Sequence, residues 1–133
     1  MILLDTHVLI WALEDDRRLA GDARERLRQS AQLAVSAISI WEIAMLVERR
    51  RLVLTQDLEA WVAKVLAIPQ ILLIPIDPAI AIDSVRLPPP FHPDPADRVV
   101  VATARFLRAP LMTADRAILA YADAGHVDVI AAG

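Results

Sequence analysis

Short apolar runs alternate along the chain with longer segments in which apolar residues recur every three or four positions. The apolar runs predict strands, which we place at 2–4, 33–37, 72–74, 111–113 and 127–130. The periodic segments predict helices, which we place at 7–14, 22–30, 40–50, 57–66, 78–85, 97–108 and 116–121. Strands that alternate with helices favour right-handed crossovers and a parallel sheet with helices on both faces. The pattern therefore predicts an α/β fold with a mainly parallel central sheet of four to five strands.

Two segments differ from the rest of this pattern. Residues 87–95 contain five of the nine prolines, so we expect a stiff loop without regular structure. The segment 97–108 is apolar on almost every side, which is typical of a helix buried against a sheet.

A chain of 133 residues has the length of one ordinary domain, and we expect a single domain that spans 1–133.

The composition is apolar for a chain of this length. Apolar residues make up 56% of the sequence and the mean hydropathy is +0.44, which indicates that a partner covers part of the surface. No apolar run approaches the roughly 18 residues that a membrane span needs. No basic region of the kind found in secretory leaders precedes Asp5. We therefore expect a cytoplasmic protein that does not enter a membrane.

The charge is informative mainly in its local distribution. The net charge of −3 argues against a broad basic surface for nucleic acid. Thirteen of the 14 basic residues are nevertheless arginines, grouped at 17–18, 24–28 and 49–51. Arginine forms bidentate contacts with phosphate, although such groups are more often solvated helix faces. Both interpretations of the arginine groups stay open.

Four carboxylates follow the apolar runs or lie in the first predicted turn of a helix: Asp5, Glu42, Asp97 and Asp115. The carboxyl ends of parallel strands share one edge of a sheet, where such folds bind their ligands. Carboxylates crowded there repel one another unless they are protonated or share cations. Without cysteine, a metal must be bound by oxygen or histidine, and carboxylates select Mg²⁺ or Mn²⁺. Two such ions would neutralise the cluster and activate water against a phosphodiester.

Each acid also has a simpler interpretation as a helix cap. Such residues accept hydrogen bonds from the free backbone N–H groups at a helix start. Ser39-Ile40-Trp41-Glu42 fits a capping box, and Asp94-Pro95-Ala96-Asp97 fits a helix start with Asp94 as the cap. Asp5 or Thr6 could cap the helix after the first strand, and Thr113 or Asp115 could cap the helix after the fourth. The residues alone therefore leave capping and metal-dependent phosphoryl chemistry both open.

Four motifs in order along the chain resemble those of PIN-domain ribonucleases, and most closely the VapC-type toxins of bacterial toxin–antitoxin pairs. They are Leu3-Leu4-Asp5-Thr6-His7-Val8-Leu9-Ile10-Trp11-Ala12-Leu13, Val35-Ser36-Ala37-Ile38-Ser39-Ile40-Trp41-Glu42-Ile43-Ala44, His92-Pro93-Asp94-Pro95-Ala96-Asp97-Arg98 and Leu111-Met112-Thr113-Ala114-Asp115. Each motif is weak by itself, but the series is specific and covers nearly the whole chain. The resemblance implies a three-layer α/β/α sandwich and an endoribonuclease that uses Mg²⁺ or Mn²⁺.

The resemblance also implies roles for individual residues. Asp5 and Asp97 would be the principal metal ligands, and Glu42 and Asp115 would complete the catalytic pocket directly or through water. The supporting residues would be Thr6, Ser39, Thr113, Asp94 and Arg98. Among them, Thr113 would hydrogen-bond within the site and Asp94 would be an additional acid. One position departs from the family pattern, since Ala96 replaces a residue that is commonly aromatic.

The partners implied by the resemblance are a second copy of the chain and a small antitoxin. The antitoxin's C-terminal segment would lie in the active-site groove, and toxin and antitoxin would form a higher assembly. The substrate would be RNA, with transfer RNA and ribosomal RNA both open as targets.

Two other functions compete with the nuclease. A PIN fold that has lost catalysis could bind only RNA or protein, although the four intact acids count against this. A receiver-like phosphoryl-transfer domain also gathers acids on a parallel sheet, but it needs a lysine near the site. The single lysine, Lys64, falls in the middle of a predicted helix outside the four motifs.

Several other residues have both a chemical and a structural interpretation. We expect His7 to be packed or hydrogen-bonded, and we favour a structural over a catalytic role for His92. For Arg98 we favour a salt bridge that orients neighbouring acids over a phosphate clamp. The three tryptophans could stack on bases, but their apolar surroundings favour a place in the core or in a dimer interface.

Overall fold

The structure, a computed structural model, describes residues 1–133 and contains five strands and seven helices. In chain order they are β1 Ile2–Leu4, α1 Thr6–Leu13, α2 Gly21–Gln29, β2 Leu33–Ser36, α3 Ala37–Glu48, α4 Leu58–Leu66, β3 Ile71–Ile74, α5 Pro78–Arg86, α6 Pro95–Leu107, β4 Leu111–Thr113, α7 Arg116–Asp123 and β5 Val129–Ala131. The strands form one sheet in the order β3-β2-β1-β4-β5, and every neighbouring pair is parallel. The predicted parallel sheet is therefore confirmed, with β1 at its centre.

Helices cover both faces of this sheet. Because side chains alternate along a strand, Leu3 and Leu4 of β1 point to opposite faces and enter two separate apolar clusters. The cluster around Leu4 includes Trp61 of α4, whereas the cluster around Leu3 includes Val101 of α6 and Ile118 of α7. The result is the three-layer α/β/α sandwich that the resemblance implied.

Helix α3 begins three residues earlier than the sequence pattern predicts. The Ser36 hydroxyl accepts from the backbone N–H of Ile38 at 3.2 Å, so the chain passes from β2 into α3 without a loop. The predicted capping box of Ser39 and Glu42 is therefore wrong. Ser39 is buried inside the helix, and Glu42 lies in the second turn of α3 rather than the first.

The remaining differences concern the ends of elements. Strand β5 starts at Val129 rather than 127, because Leu111 pairs with Val129 while the buried Val127 packs in the core. Helix α6 starts at Pro95 because Asp94 caps it. Residues 87–94 contain neither helix nor strand, as the prolines predict.

None of the seven helices combines the length and apolar character that crossing a membrane requires.

Candidate active site

A cavity of about 290 Å³ opens at the carboxyl edge of the sheet. It is lined by Asp5, Thr6, His7, Ile10, Glu42, Leu46, Asp94, Asp97 and Asp115. The structure thus brings together all four predicted acids and adds Asp94. Five carboxylates share this space and neither lysine nor arginine lines it, so the cavity concentrates negative charge without a protein cation to balance it.

Asp5 is held at the centre of this cavity by two hydrogen bonds. It follows the central strand, is only 3% exposed and caps α1 by accepting from the backbone N–H of Thr6 at 2.8 Å. Its Oδ2 accepts from the Thr113 hydroxyl at 2.7 Å, and Thr113 Oγ1 in turn accepts from the backbone N–H of Asp115 at 3.0 Å. Thr113 thus forms a hydrogen bond with the carboxylate of Asp5. Together these bonds fix the carboxylate of Asp5 in one orientation.

Asp115 and Asp94 are helix caps that also face the cavity. Asp115 Oδ1 accepts from the backbone N–H groups of Ala117 and Ile118, and Asp94 Oδ1 accepts from those of Ala96 and Asp97. In each carboxylate, the cap occupies one oxygen and the other, Oδ2, has no protein hydrogen bond. Capping and binding are therefore compatible in the same residue.

Glu42 reaches the cavity from the second turn of α3. Helix α3 is tied to α1 by a buried hydrogen bond in which the Thr6 hydroxyl donates to the Ser39 hydroxyl at 2.9 Å. This bond joins the first turns of the two helices, and neither Thr6 nor Ser39 caps α3. Burial, followed by repulsion from Asp5, raises the pKa of Glu42 above its usual range.

Asp97 carries the largest change in acidity. Burial and then repulsion from Asp5 and the other carboxylates of the cavity raise its pKa to about 8. A carboxyl group with this pKa keeps its proton at neutral pH unless a cation arrives to stabilise the charge. Without a cation, carboxylates crowded in this way repel one another.

This acidity predicts how metal-free stability depends on pH. Between about pH 4 and 8 the folded state keeps a proton on Asp97 that the unfolded state releases, so raising the pH favours unfolding. We expect the free energy of unfolding in EDTA to fall across this window and to level off above it. Urea unfolding at pH 5 and pH 8 should show a smaller difference in Asp97→Asn than in the parent. If the difference in Asp97→Asn equalled that of the parent, the raised pKa of Asp97 would be contradicted. The control is Asp123→Asn, which changes an exposed acid on α7.

His92 contacts Asp97, although the sequence pattern did not single it out as a site residue. Its Nδ1 accepts from the backbone N–H of Asp94 at 3.3 Å, which leaves the proton on Nε2. Nε2 lies 3.2 Å from Asp97 Oδ2, close enough to hold that carboxylate. Three possible ligand atoms lie within 4.8 Å of one another, one each from His92, Asp97 and Asp115. The signal in the sequence is a lone histidine two residues before the Asp94 cap.

Arg98 takes neither of the roles that we weighed for it. Its guanidinium donates to the backbone carbonyls of Ser84 at 2.7 Å and Val85 at 3.3 Å, and to those of Phe91 at 3.3 Å and His92 at 3.2 Å. No carboxylate lies within salt-bridge distance of it. The favoured salt bridge is therefore wrong, and Arg98 instead fastens the proline-rich loop to the end of α5. It thereby positions His92 beside Asp97.

His7 is packed and hydrogen-bonded, as expected. Its Nε2 accepts from the backbone N–H of Ala114 at 2.9 Å, so Nδ1 carries the proton and faces Asp5. Its ring stacks at a tilt on Trp11, with centroids 4.8 Å apart. Trp61 belongs to the core, whereas Trp41 is 55% exposed on α3.

The arginine groups do not contribute to the acidic cavity. Arg18 is paired with Asp16 at 2.7 Å and Arg24 with Asp15 at 3.4 Å, while residues 49–51 follow α3 on the exposed surface. The interpretation as solvated and locally paired charges is the one that the structure supports.

The donor set of the cavity fits a hard divalent cation. Carboxylate oxygens from three strand or helix ends, with one imidazole beside them, match the ligands of Mg²⁺ and Mn²⁺. Asp5, Asp97, Glu42 and Asp115 could hold such an ion, with His92 as a neighbour of Asp97. Burial and repulsion between the carboxylates raise the pKa of Asp97, and a bound cation would offset that repulsion.

Comparison with known proteins agrees with this geometry. The model of the PIN domain family matches residues 2–124. Ribonuclease VapC22 of Mycobacterium tuberculosis is 36% identical over 115 residues, which are 86% of this chain and 87% of the relative.

Two solved structures share the fold at lower identity. A chain of a toxin–antitoxin complex from Klebsiella pneumoniae is 24% identical with a TM-score of 0.66, and the match covers 98% of this chain and 96% of that one. A chain of VapBC2 from Rickettsia felis, bound to a DNA fragment from its promoter, is 16% identical with a TM-score of 0.71 and 98% coverage of both chains. These confirm the sandwich, while the family match and the VapC22 relative confirm the family suggested by the four motifs. The chain belongs to the PIN domain family and, within it, to the VapC-type proteins.

Proposed function

We propose that this chain is the toxin of a toxin–antitoxin pair and acts as a Mg²⁺- or Mn²⁺-dependent endoribonuclease. The observation that carries the proposal is the cavity of five carboxylates, free of lysine and arginine, at the carboxyl edge of a parallel sheet. The relative named a ribonuclease supports RNA as the substrate. Transfer RNA and ribosomal RNA both stay open as its targets. The whole chain, 1–133, would act as one nuclease domain in the cytoplasm.

The proposed ligands differ in how the protein holds them. Asp5 and Asp97 are the principal metal ligands, and Glu42 and Asp115 complete the site. When bound, the divalent cation supplies Lewis-acid activation of water and charge stabilisation at the phosphodiester. Thr113 keeps Asp5 aligned, and His92 keeps Asp97 aligned. Such outer contacts typically change metal affinity or activity 10- to 100-fold, roughly, when they are removed.

The proposed partners are a small VapB-like antitoxin and a second copy of the chain. The structural neighbours come from complexes of toxins with antitoxins, which supports the first of these. Exposed apolar side chains support the second, since Leu72 and Leu73 of the edge strand β3, Ile82 and Val85 of α5 and Trp41 of α3 all face solvent. Covering such side chains would explain the apolar composition of the chain.

A receiver-like function is not favoured by the geometry. Lys64 is exposed on α4, and no lysine lines the acidic cavity. The inactive-module alternative is distinguished by activity, since it keeps the fold but cuts no RNA.

The direct test is induced expression of the chain in a bacterial host, followed by sequencing of RNA 5′ ends. The proposal predicts growth arrest with discrete cuts that carry 5′-phosphates, and neither effect in Asp5→Asn expressed at the same level. Growth arrest without new RNA ends would contradict a nuclease function.

Metal binding should also appear as a gain in stability. A cation that binds only the folded state stabilises it by about 2.7 kcal/mol at 100 times its Kd. For a chain of this length we expect Mn²⁺ to raise the Tm by several degrees, since ~1 kcal/mol shifts the Tm by roughly 3–6 °C. The Mn²⁺ response measured by calorimetry should shrink in Asp97→Asn, while Asp123→Asn should respond like the parent. A response of equal size in Asp97→Asn would remove this residue from the ligand set.

A further inference from the structure

A second cavity of about 480 Å³ adjoins the acidic one. It lies between the proline-rich loop and the start of α7, and its walls include Pro89, Pro90, Phe91, His92 and Ala117. His92 belongs to both places, since its ring lines this cavity while its Nε2 contacts Asp97. We name this cavity the proline-loop pocket. Its position puts it next to the point where a phosphodiester would meet the acids.

The walls of the proline-loop pocket are fixed before any ligand arrives. Arg98 holds the carbonyls of Phe91 and His92, and the Tyr121 hydroxyl donates to the carbonyl of Pro88 at 2.6 Å. The ring of Phe91 contacts those of His92 and Tyr121, with centroid distances of 4.4 and 4.6 Å. A ligand that enters therefore orders little of the protein, which lowers the entropic cost of binding.

The chemistry of the pocket differs from that of its neighbour. No carboxylate lines it, whereas five line the acidic cavity. Phe91 and His92 are both partly exposed, and the prolines beside them offer flat apolar surface. Its volume lies within the ~300–1,000 Å³ range of small-molecule sites. Single-stranded RNA is recognised mainly through unstacked bases that stack on such aromatic side chains.

We propose that the proline-loop pocket binds one unstacked base of the RNA, that of a nucleotide adjacent to the cleaved phosphate. The inference rests on the proposed nuclease function for the source of the base, but the pocket's affinity for a base can be measured without cleavage. The pocket would then set a base preference at one position beside the cut, and Phe91 would be a specificity-determining residue.

The first test uses the fact that the chain has only two phenylalanines, Phe91 in the pocket and Phe106 on the exposed side of α6. Protein labelled with 4-fluorophenylalanine gives two ¹⁹F signals, which a Phe106→Leu variant assigns. Titration with adenosine, guanosine, cytidine and uridine 5′-monophosphates should move the Phe91 signal with at least one of them and leave Phe106 unmoved. Ribose 5-phosphate, which lacks the base, should move neither. Equal shifts with ribose 5-phosphate, or no shift with any nucleotide, would overturn the proposal.

The second test fills the pocket without altering its aromatic wall. Ala117 is exposed at the start of α7, so Ala117→Leu should narrow the pocket, and Ala120→Leu on the exposed side of the same helix is the matched control. On a random-sequence RNA pool with Mn²⁺, Ala117→Leu should raise KM about 5- to 100-fold with kcat within about twofold, and should flatten the base preference. Ala120→Leu should match the parent.

The outcomes separate the two proposals. If the parent cuts RNA and Ala117→Leu keeps the same KM and base preference, the pocket does not bind the base. If the parent cuts no RNA, the nuclease function fails, while the ¹⁹F titration still decides whether the pocket binds a base.

Discussion

Replacing Asp97 with asparagine is expected to reduce RNA cleavage by at least about 100-fold, since even residues behind a metal ligand cost roughly 10- to 100-fold. Asparagine keeps the size of the side chain and one oxygen, but it cannot supply the negative charge that a divalent cation requires. Burial, and then repulsion from four other carboxylates, raise the pKa of Asp97 to about 8. The measurement is kcat/KM for purified protein on RNA with Mn²⁺.

The controls for this result test charge and fold separately. Asp123→Asn makes the same chemical change at an exposed position and should keep parental activity. Asp97→Asn should keep the circular dichroism spectrum of the parent, because the substitution removes repulsion rather than packing. Asp5→Asn should lose activity to a similar degree. Undiminished cleavage by both Asp5→Asn and Asp97→Asn would end the assignment of the acidic cavity as the active site.

The second large effect is expected on stability. Arg98→Met should lower the free energy of unfolding by about 2–4 kcal/mol. The guanidinium bonds to four backbone carbonyls of residues 84–92, and hydrogen bonds to charged groups contribute about 1.5–3 kcal/mol each when buried. The partial exposure of Arg98 reduces that total. Methionine keeps the length of the apolar stem and leaves the carbonyls without a donor. Urea unfolding, compared at constant m-value, measures the loss.

The same substitution should also slow cleavage, because the loop that Arg98 fastens carries His92 to Asp97. Arg98→Lys, with one charged group in place of a planar fork, should recover only part of the stability. Arg86→Met changes an exposed arginine at the end of α5 and should be nearly neutral. If Arg98→Met and Arg86→Met were equally stable, the loop would not depend on the contacts described for Arg98.

The parts of the fold that could be predicted are those that a local pattern determines. Short runs of three to five mostly apolar residues predicted the strands, and the position of Asp5 and Asp115 just after two of them predicted that they meet at one edge of the sheet. Asp94 was predicted as a cap because Pro95 suits the first position of a helix, and the structure confirms it. The strands and the cap depend on residues that are close in sequence, whereas Asp5 and Asp115 meet because parallel strands share one edge of the sheet.

The parts that could not be predicted depend on contacts between distant segments. Glu42 looked like the partner of Ser39 in a capping box, but Ser39 instead bonds to Thr6, 33 residues away. Arg98 stands beside an aspartate in sequence, yet its partners are carbonyls up to 14 residues earlier. The proline-loop pocket likewise needs α7 to close it. No periodicity or spacing encodes these arrangements, because they follow from the packing of the finished fold.

The hydrogen bond between Thr113 and Asp5 joins residues 108 positions apart, and this has a consequence for the synthesis of the protein. The central strand β1 leaves the ribosome long before its neighbour β4. Until Leu111–Thr113 has emerged, Asp5 lacks its partner and one side of β1 has no strand to pair with. A growing polypeptide therefore carries the first acid but not the site. The acidic cavity is complete only after β4 and Asp115 have been synthesised, and a chain released before that point does not acquire it.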